Sequence, residues 1–246
     1  MWHYRGTKKS GGPPLLLVFG LVSRSYIADL TPGNSLVERL LDAGFDVYLL
    51  DWGIPDERDA NNRLEDYADD YIPIRRVQQL SGARRVDLLG YCFGGVLTLL
   101  HAAHHPHSPL HSLTVMATLV EFQQMGPLVE VAGSDAVDLD IILDDNGNVP
   151  PGIIRQLFRS LTPTYEITQY VNLWERLWSD DYVAAYRAIT AWSADHIPFP
   201  GAAAHCSRHR MVGRDRSDAR PHGPDRRQDR TQDHDPHRHR FPAEEK

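Results

Sequence analysis

The clearest chemistry-bearing pattern in the chain is Gly90-Tyr91-Cys92-Phe93-Gly94-Gly95, which follows a predicted strand and opens a predicted helix. It fits the nucleophile elbow G-x-S-x-G, with cysteine in the serine position. Such a tight turn strains the backbone of the nucleophile, so only small residues such as Gly90 and Gly94 fit two positions away on either side. Cys92 would lie at a helix N-terminus, where the dipole and free N–H groups favour a thiolate. The pattern therefore predicts nucleophilic chemistry at Cys92.

A cysteine that attacks a carbonyl group also needs donors for the negative charge that develops on oxygen. The backbone N–H of Phe93, directly after the cysteine, is the first predicted donor. The second usually comes from the loop after the first strand, here Gly20-Leu21-Val22, and Leu21 is our first choice. The pattern alone is weak, and the alternative is that Cys92 is a small core residue at a tight turn. The strand–turn–helix context favours the nucleophile.

Short apolar runs predict the strands that would position this site. They occur at Leu15–Phe19, Val47–Leu50, Val86–Leu89 and Leu113–Ala117. Continuous apolar runs of this length are typical of strands buried on both faces, as in a parallel sheet. Helical spacing predicts intervening helices at Asn34–Leu41, at Leu64–Leu80 and from Gly94 onward. The alternation predicts an α/β fold with a doubly wound, mostly parallel sheet.

The residue pattern divides the chain into three regions. Residues 1–120 carry the strand–helix alternation, and residues 121–202 hold turn clusters and aromatic-rich helices such as Tyr170–Tyr186, which predict an inserted helical cap and a return to the core. Residues 203–246 are rich in Arg, Asp, His, Pro and Gly, and this composition predicts disorder. GC-rich DNA read in a shifted frame gives the same composition, so we expect a frameshift near Ala203–Cys206. The alternative is a genuine basic, disordered arm.

Composition restricts the class of protein. The formal net charge is −7 and the basic residues are concentrated after Ala203, so the acidic body argues against nucleic acid as the partner. Two cysteines in different contexts indicate a reducing compartment. We expect a cytoplasmic protein, because the N-terminus lacks a signal-peptide core and no apolar run reaches the length of a membrane span.

Several other polar clusters invite functional interpretations that the sequence does not favour. The histidines that follow the elbow helix predict a solvated helix end, not a metal site, and Asp144–Asn148 lacks the alternating ligands of a calcium loop. Asp195 and His196 are adjacent in sequence and therefore rarely face one another. No metal site is predicted. The histidines that follow the elbow helix are His101, His104, His105, His107 and His111, and those of the tail are His209, His222, His234, His237 and His239. The aromatic residues Trp174, Trp178, Tyr182 and Tyr186 fall at helical spacing, which is more typical of a core.

Several of these stretches, taken in order, resemble the polyhydroxyalkanoate synthases. The segment Pro14–Leu30 resembles their first strand and oxyanion loop, Gly44–Asp56 and Leu64–Tyr67 follow in the family's order, and the Cys92 elbow matches their cysteine lipase-like box. Val137–Asp140 together with Asn146–Pro150 resembles the cap entry of the shorter, two-subunit type. The resemblance covers about Tyr4 to Gly201 and implies an α/β-hydrolase fold with an inserted helical cap that lacks the last strands.

The resemblance implies that Cys92 takes (R)-3-hydroxyacyl groups from coenzyme A thioesters and that a second unit lengthens the polyester. It implies no cofactor beyond the thioester substrate, a granule surface as a place of action, and a second synthase subunit or a homodimer as partner. The family's aspartate and histidine should lie beyond Gly201, where the tail offers no strand to hold them. We therefore expect the chain to have a truncated or frameshifted C-terminus and little or no synthase activity.

Two other functions stay open on the sequence. A cysteine-elbow hydrolase would use water as the acyl acceptor and act on thioesters or esters. A catalytically inactive fragment would bind a synthase partner or the polymer granule through an exposed apolar face. The products of acyl-CoA turnover distinguish the first from polymerisation, and labelling of Cys92 by an acyl-CoA analogue tests the second.

Overall fold

A five-stranded sheet forms the centre of the computed structural model, which describes residues 1–6, 11–121, 138–161 and 174–212. The strands of these ranges are β1 (Trp2–Tyr4), β2 (Leu15–Val18), β3 (Asp29–Thr31), β4 (Asn34–Ser35), β5 (Val47–Leu50), β6 (Val86–Tyr91), β7 (Leu110–Met116), β8 (Asn148–Val149) and β9 (Phe199–Pro200). The helices are α1 (Leu36–Asp42), α2 (Leu64–Asp66), α3 (Ile74–Ser81), α4 (Phe93–His104), α5 (Leu139–Ile142), α6 (Pro151–Leu161), α7 (Asp180–Ala194) and α8 (Gly201–Val212).

The strand order in the central sheet is β1-β5-β2-β6-β7. Strand β2 pairs in parallel with both β5 and β6, and β6 pairs in parallel with β7. All four predicted strands are present, and each side chain of β2 and β5 is buried. Apolar clusters pack on both faces of the sheet, as the continuous apolar runs predict. The doubly wound α/β prediction is confirmed.

Strand β1 was not predicted, and it pairs antiparallel with β5 at one edge of the sheet. Its His3 is buried because the imidazole bonds to a carboxylate oxygen of Asp46 at 2.7 Å and stacks on the ring of Tyr48 at 4.1 Å. Asp46 directly precedes β5, and Tyr48 belongs to β5. The sequence of these three residues did not predict a strand, because the contacts that bury its central histidine come from other parts of the chain.

The predicted helix Leu64–Leu80 is wrong in its middle. The chain forms α2, then a π-helical turn at Tyr67–Tyr71, and resumes a helix only at Ile74. Ile72 has extended backbone angles of φ −77° and ψ 111° because it precedes Pro73. The proline ring excludes the helical conformation at the residue before it, and Pro73 has no N–H to donate.

The predicted cap is described only in part, because residues 122–137 and 162–173 lie outside the described ranges. Strands β8 and β9 pair antiparallel, so the segment just before α6 lies beside the segment that follows α7. The predicted helix Tyr170–Tyr186 is interrupted by a turn at 176–178, and its last part, from Asp180 on, lies in α7. Trp174 and Trp178 are 74% and 82% exposed, so they are not core residues.

Helix α8 corrects the predicted boundary of disorder at residue 203. Ala203 is fully buried in the main core cluster, and Ala204 and Ser207 are buried on the same helix. Small side chains let this helix approach α2 and the β8–β9 pair closely. The composition predicted disorder because large apolar residues are scarce in this segment, whereas the helix packs through small residues. Residues 213–246 lie outside the described part of the chain.

Candidate active site

Cys92 occupies the sharp bend between β6 and α4. Its backbone angles are φ 53° and ψ −125°, a region that residues with a side chain rarely adopt. Strand β6 ends at Tyr91 and helix α4 begins at Phe93, so the cysteine is the helix N-cap. The side chain of Cys92 is exposed. The predicted elbow geometry is therefore present, and the sulfur is open to a reactant.

The glycines around Cys92 are required by close approach of other backbone atoms. A Cβ atom built on Gly90 would lie 2.5 Å from the Cα atom of Gly95, and one built on Gly94 would lie 2.7 Å from the carbonyl carbon of Phe19. A Cβ on Gly95 would lie 2.7 Å from Cγ2 of Thr118. Because the first two neighbours are backbone atoms that cannot turn aside, the bend requires glycine at positions 90 and 94, whereas at position 95 the Thr118 side chain would have to shift.

Backbone hydrogen bonds fix the elbow from two sides. The N–H of Cys92 donates to the carbonyl of Met116 at the end of β7 over 2.9 Å, and the N–H of Gly95 donates to the carbonyl of Cys92 over 3.0 Å. Met116 was not predicted from the sequence, because its role depends on the neighbouring strand. Within the described ranges the sulfur of Cys92 makes no hydrogen bond.

The predicted oxyanion loop lies against the start of α4. A Cβ built on Gly20 would lie 3.2 Å from Cβ of Phe93 and 3.8 Å from its backbone nitrogen. The side chain of Leu21 is only 2% exposed, so it anchors the loop in the core. Neither the Phe93 nor the Leu21 backbone N–H donates a hydrogen bond within the described part of the chain. The short distances between Gly20 and Phe93 show that the segments carrying the two predicted donors meet directly after Cys92.

The far end of this loop is fastened to the segment that follows α7. The indole N–H of Trp192 donates to the carbonyl of Arg24 over 2.8 Å, and the N–H of Ile197 donates to the carbonyl of Val22 over 3.2 Å. Phe199 then places its ring edge-on to Phe93 at 6.0 Å. These contacts join the two segments of the chain that flank the elbow.

Asp195 and His196 do not pair with one another. Asp195 accepts a hydrogen bond from the hydroxyl of Tyr26 at 3.2 Å and lies 4.0 Å from the guanidinium of Arg24. The ring of His196 packs edge-on against Phe158 at 5.3 Å, and burial lowers the pKa of His196. The two residues therefore hold separate contacts, in keeping with the low expectation for an acid–base pair.

The histidines after the elbow differ in environment. His101 is buried, contrary to the predicted solvated helix end, and the carboxylate of Asp69 bonds to His104 at 2.9 Å and to His105 at 3.1 Å. His111 bonds to the carboxylate of Asp87 at 2.8 Å. No group of metal-binding side chains occurs among the described residues.

Asp144 forms the predicted turn: its side chain accepts from the N–H groups of Asn146 and Asn148 at 2.9 and 3.0 Å. A cavity of about 440 Å³ opens beside this turn, lined by Leu143, Gly147, Ala202 and His205 among others. None of its lining residues belongs to the elbow. The cavity is therefore separate from the Cys92 site. No helix in the described ranges is both long and apolar enough to cross a bilayer.

The chain is similar to several curated proteins of one name. The chain is 34% identical over 204 residues to the poly(3-hydroxyalkanoate) polymerase subunit PhaC of Haloferax mediterranei, covering 81% of this chain and 41% of that protein. It is 35% identical over 201 residues to the subunit of the same name from Allochromatium vinosum, covering 78% of this chain and 56% of that protein. The chain thus spans about half the length of the curated relatives it matches.

A solved carboxyl esterase from Bacillus coagulans aligns with 53% of this chain and 43% of its own, at 19% identity and a TM-score of 0.41. The model of the α/β hydrolase fold family matches residues 13–217. The resemblance to polyhydroxyalkanoate synthases that the sequence motifs indicate is confirmed by the curated relatives. With a family match over most of its length, the chain belongs to the α/β hydrolase fold family.

Proposed function

We propose that the chain is an acyltransferase that accepts (R)-3-hydroxyacyl groups from coenzyme A thioesters on Cys92 and passes them to a growing polyester. The observation that carries the proposal is the exposed cysteine held at φ 53° between β6 and α4. The similarity to curated poly(3-hydroxyalkanoate) polymerase subunits supports the choice of acyl group. The thioester supplies all the chemistry the reaction needs, so the proposal includes no cofactor.

The first step forms a new thioester on the enzyme. The deprotonated sulfur of Cys92 attacks the carbonyl carbon of the substrate, and the carbonyl oxygen takes up the negative charge. The N–H groups of Phe93 and Leu21 are the proposed donors to that oxygen, because both segments meet at the elbow. Collapse of this intermediate breaks the bond to the coenzyme A sulfur, and coenzyme A leaves as a thiolate that takes a proton from water.

The second step transfers the acyl group. The hydroxyl oxygen of another 3-hydroxyacyl unit attacks the carbonyl carbon of the acyl-enzyme and forms an ester bond. The bond to Cys92 breaks, and the hydroxyl proton returns to the sulfur. A thioester is well suited to this task because a thiol is a good leaving group, so the acyl-enzyme stays activated for transfer.

The proposal extends to partners and location. The growing polyester and a second synthase chain, either a copy or another subunit, are the proposed partners, at the surface of a cytoplasmic polymer granule. The large exposed apolar side chains Val120, Trp174 and Trp178, which are 70%, 74% and 82% exposed, support contact with an apolar surface.

The test of the proposal is acylation of Cys92 in a single turnover. The full chain is mixed with excess 3-hydroxybutyryl-CoA, and intact-protein and peptide mass spectrometry follow the adduct. The expected result is one 3-hydroxybutyryl group on Cys92 and an equal amount of released coenzyme A, with neither in Cys92→Ala. Cys206 is the internal control, because it lies on α8, packed against the main core cluster, and should stay unmodified.

The fate of the acyl group identifies the acceptor. Oligomers of 3-hydroxybutyrate that require Cys92 support polyester synthesis, whereas free 3-hydroxybutyrate as the only product would identify a thioesterase. A folded chain whose Cys92 stays unmodified at saturating thioester would overturn the proposal and favour a non-catalytic binding role.

A further inference from the structure

Trp52 contacts the backbone directly before the predicted oxyanion loop. It follows β5 after a single residue, and its indole N–H donates to the carbonyl of Phe19 over 2.9 Å. Phe19 follows β2 and directly precedes Gly20 and Leu21. A side chain from one parallel strand therefore holds the backbone at the carboxyl end of the next strand.

The peptide between Phe19 and Gly20 is held on two further sides. The ring of Phe19 is buried and packs against the ring of Tyr91 at 4.9 Å. The backbone of Phe19 lies so close to Gly94 that a Cβ there would be 2.7 Å from its carbonyl carbon. Ring, backbone and carbonyl oxygen are thus each fixed, and only the carbonyl contact depends on a side-chain hydrogen bond.

The indole is itself oriented by its neighbours. The ring of Trp52 meets Tyr67 edge-on, with centroids 5.3 Å apart and planes at 87°. After it, Gly53 adopts a positive φ of 76°, and the N–H of Gly53 donates to the carboxylate of Asp51 over 3.0 Å. The donor is therefore built into a turn whose conformation is set before any substrate binds.

We infer that Trp52 is a positioning residue for acyl transfer: its hydrogen bond to the Phe19 carbonyl sets the direction in which the following backbone N–H groups point beside Cys92. The inference rests on the proposed function of Cys92. The Phe19 carbonyl and the Gly20 N–H share one rigid peptide plane, so they rotate together, and the Leu21 N–H in the next peptide is displaced through Gly20. A donor misaligned by tens of degrees loses much of its effect on an oxyanion. Trp52 acts only through the loop.

Two reactions of the Cys92 sulfur distinguish a positioning role of Trp52 from a general disruption of the elbow. Acylation by 3-hydroxybutyryl-CoA passes through an oxyanion, whereas alkylation by iodoacetamide displaces iodide at a saturated carbon and forms none. The substitution Trp52→Phe removes the indole N–H and keeps an aromatic ring against Tyr67. The matched control is Trp2→Phe, which removes the indole N–H that donates to Oδ2 of Asp51 over 3.3 Å, whereas the N–H of Gly53 uses Oδ1.

The expected result for Trp52→Phe is a maximal rate of single-turnover acylation lowered about ten- to a hundredfold, in the range of a weakened oxyanion donor. The thioester concentration for half-maximal rate and the alkylation rate stay within about twofold. Trp2→Phe leaves all three within about twofold. Equal loss of acylation and alkylation in Trp52→Phe would overturn the inference, because that pattern reports general disruption of the elbow.

The inference and the proposed function fail in different ways. A wild-type chain that acylates Cys92 together with a Trp52→Phe variant of the same acylation rate overturns the positioning role alone. A wild-type chain that alkylates at Cys92 but is never acylated overturns both, because there is then no oxyanion for the loop to stabilise.

Discussion

At the scale of single residues, the site depends on one unfavourable backbone conformation. Within the described ranges, Cys92 and Ala117 are the non-glycine residues with positive φ, at 53° and 50°. A side chain in this region costs about 1–3 kcal/mol, and such strain persists only where the surrounding structure imposes it. Here the carbonyl of Met116 and the glycines of the elbow impose it. The strain turns the sulfur outward at the end of β6.

Replacing Cys92 separates the contribution of its backbone from that of its sulfur. Cys92→Gly removes the Cβ atom that makes the conformation unfavourable, so we expect the free energy of unfolding to rise by about 1 kcal/mol. Cys92→Ala keeps the Cβ atom and should change stability by less than about 0.5 kcal/mol. Urea denaturation of the three proteins measures the difference. Equal stability of the Gly and Ala variants would contradict a strained elbow.

Gly90 allows a matched test of close approach. The Cβ of Gly90→Ala would lie 2.5 Å from the Cα atom of Gly95, a backbone atom that cannot turn aside. We expect destabilisation of about 3 kcal/mol or more, at the upper end of overpacking effects, and loss of Cys92 acylation. Gly152→Ala in α6 is the control, because a Cβ there has nothing within 4 Å and alanine favours a helix. Thermal unfolding measures the melting temperatures of both variants. Similar values would contradict a clash between a Cβ atom at position 90 and the backbone of Gly95.

At the scale of elements, helix α4 is fixed at both ends. Its first turn is set by the elbow, and its last turn is tied down by His101. Nδ1 of His101 donates to the carbonyl of Ala68 in the π-helical turn over 2.7 Å, and Nε2 lies 3.0 Å from the hydroxyl of Ser108. A carbonyl can only accept, so Nδ1 carries the hydrogen and a neutral ring accepts at Nε2 from Ser108. The contacts therefore suit the neutral imidazole.

The pH dependence of stability follows from this arrangement. Burial lowers the pKa of His101 below its ordinary 6.5, and the nearby His105 and His104 act in the same direction, while the Ala68 carbonyl and Asp69 oppose it. The unfolded chain therefore takes up a proton at His101 before the folded chain does. This contribution to stability is present in full above about pH 6.5 and is lost as the pH falls through the lowered value.

The matched variant is His101→Gln, which keeps a polar side chain but does not titrate. At pH 8 we expect it to be about 1–2 kcal/mol less stable than the wild type, because at least one buried hydrogen bond is lost. At pH 5 the difference should narrow, since only the wild type bears the cost of the histidine. Urea titrations at the two pH values measure it. A gap of constant size across this range would contradict the neutral, buried histidine.

At the scale of the whole molecule, the sequence predicted what is encoded locally. Leu15–Val18 and Val47–Leu50 are buried on both faces, so their apolar runs identified them. The elbow was found because its glycines and cysteine lie within one short segment, Gly90–Gly95. Trp52 was not found, since its hydrogen bond to Phe19 joins two strands. Ala203 was assigned to a disordered tail because burial of an alanine on α8 depends on helix packing, which composition does not report.

The other consequence at this scale is the outer edge of the sheet. Strand β7 pairs with β6, and no strand in the described ranges covers its other side. Val115 and Met116 are 39% and 37% exposed, and no side chain from Leu110 to Met116 is acidic or a lysine or arginine. An uncovered edge without such charges presents unpaired N–H and C=O groups to a strand of another molecule. We therefore expect this edge to favour association between chains.

A lysine in this strand tests the point. We expect Val115→Lys to lower light scattering at high protein concentration severalfold, because a charge at an edge opposes strand pairing. Ile141→Lys is the matched control, since Ile141 is 79% exposed but lies on α5, outside β7. Each lysine makes the net charge of −7 less negative by one, which by itself promotes association. A decrease confined to Val115→Lys would thus identify the edge, whereas equal decreases in both variants would contradict it.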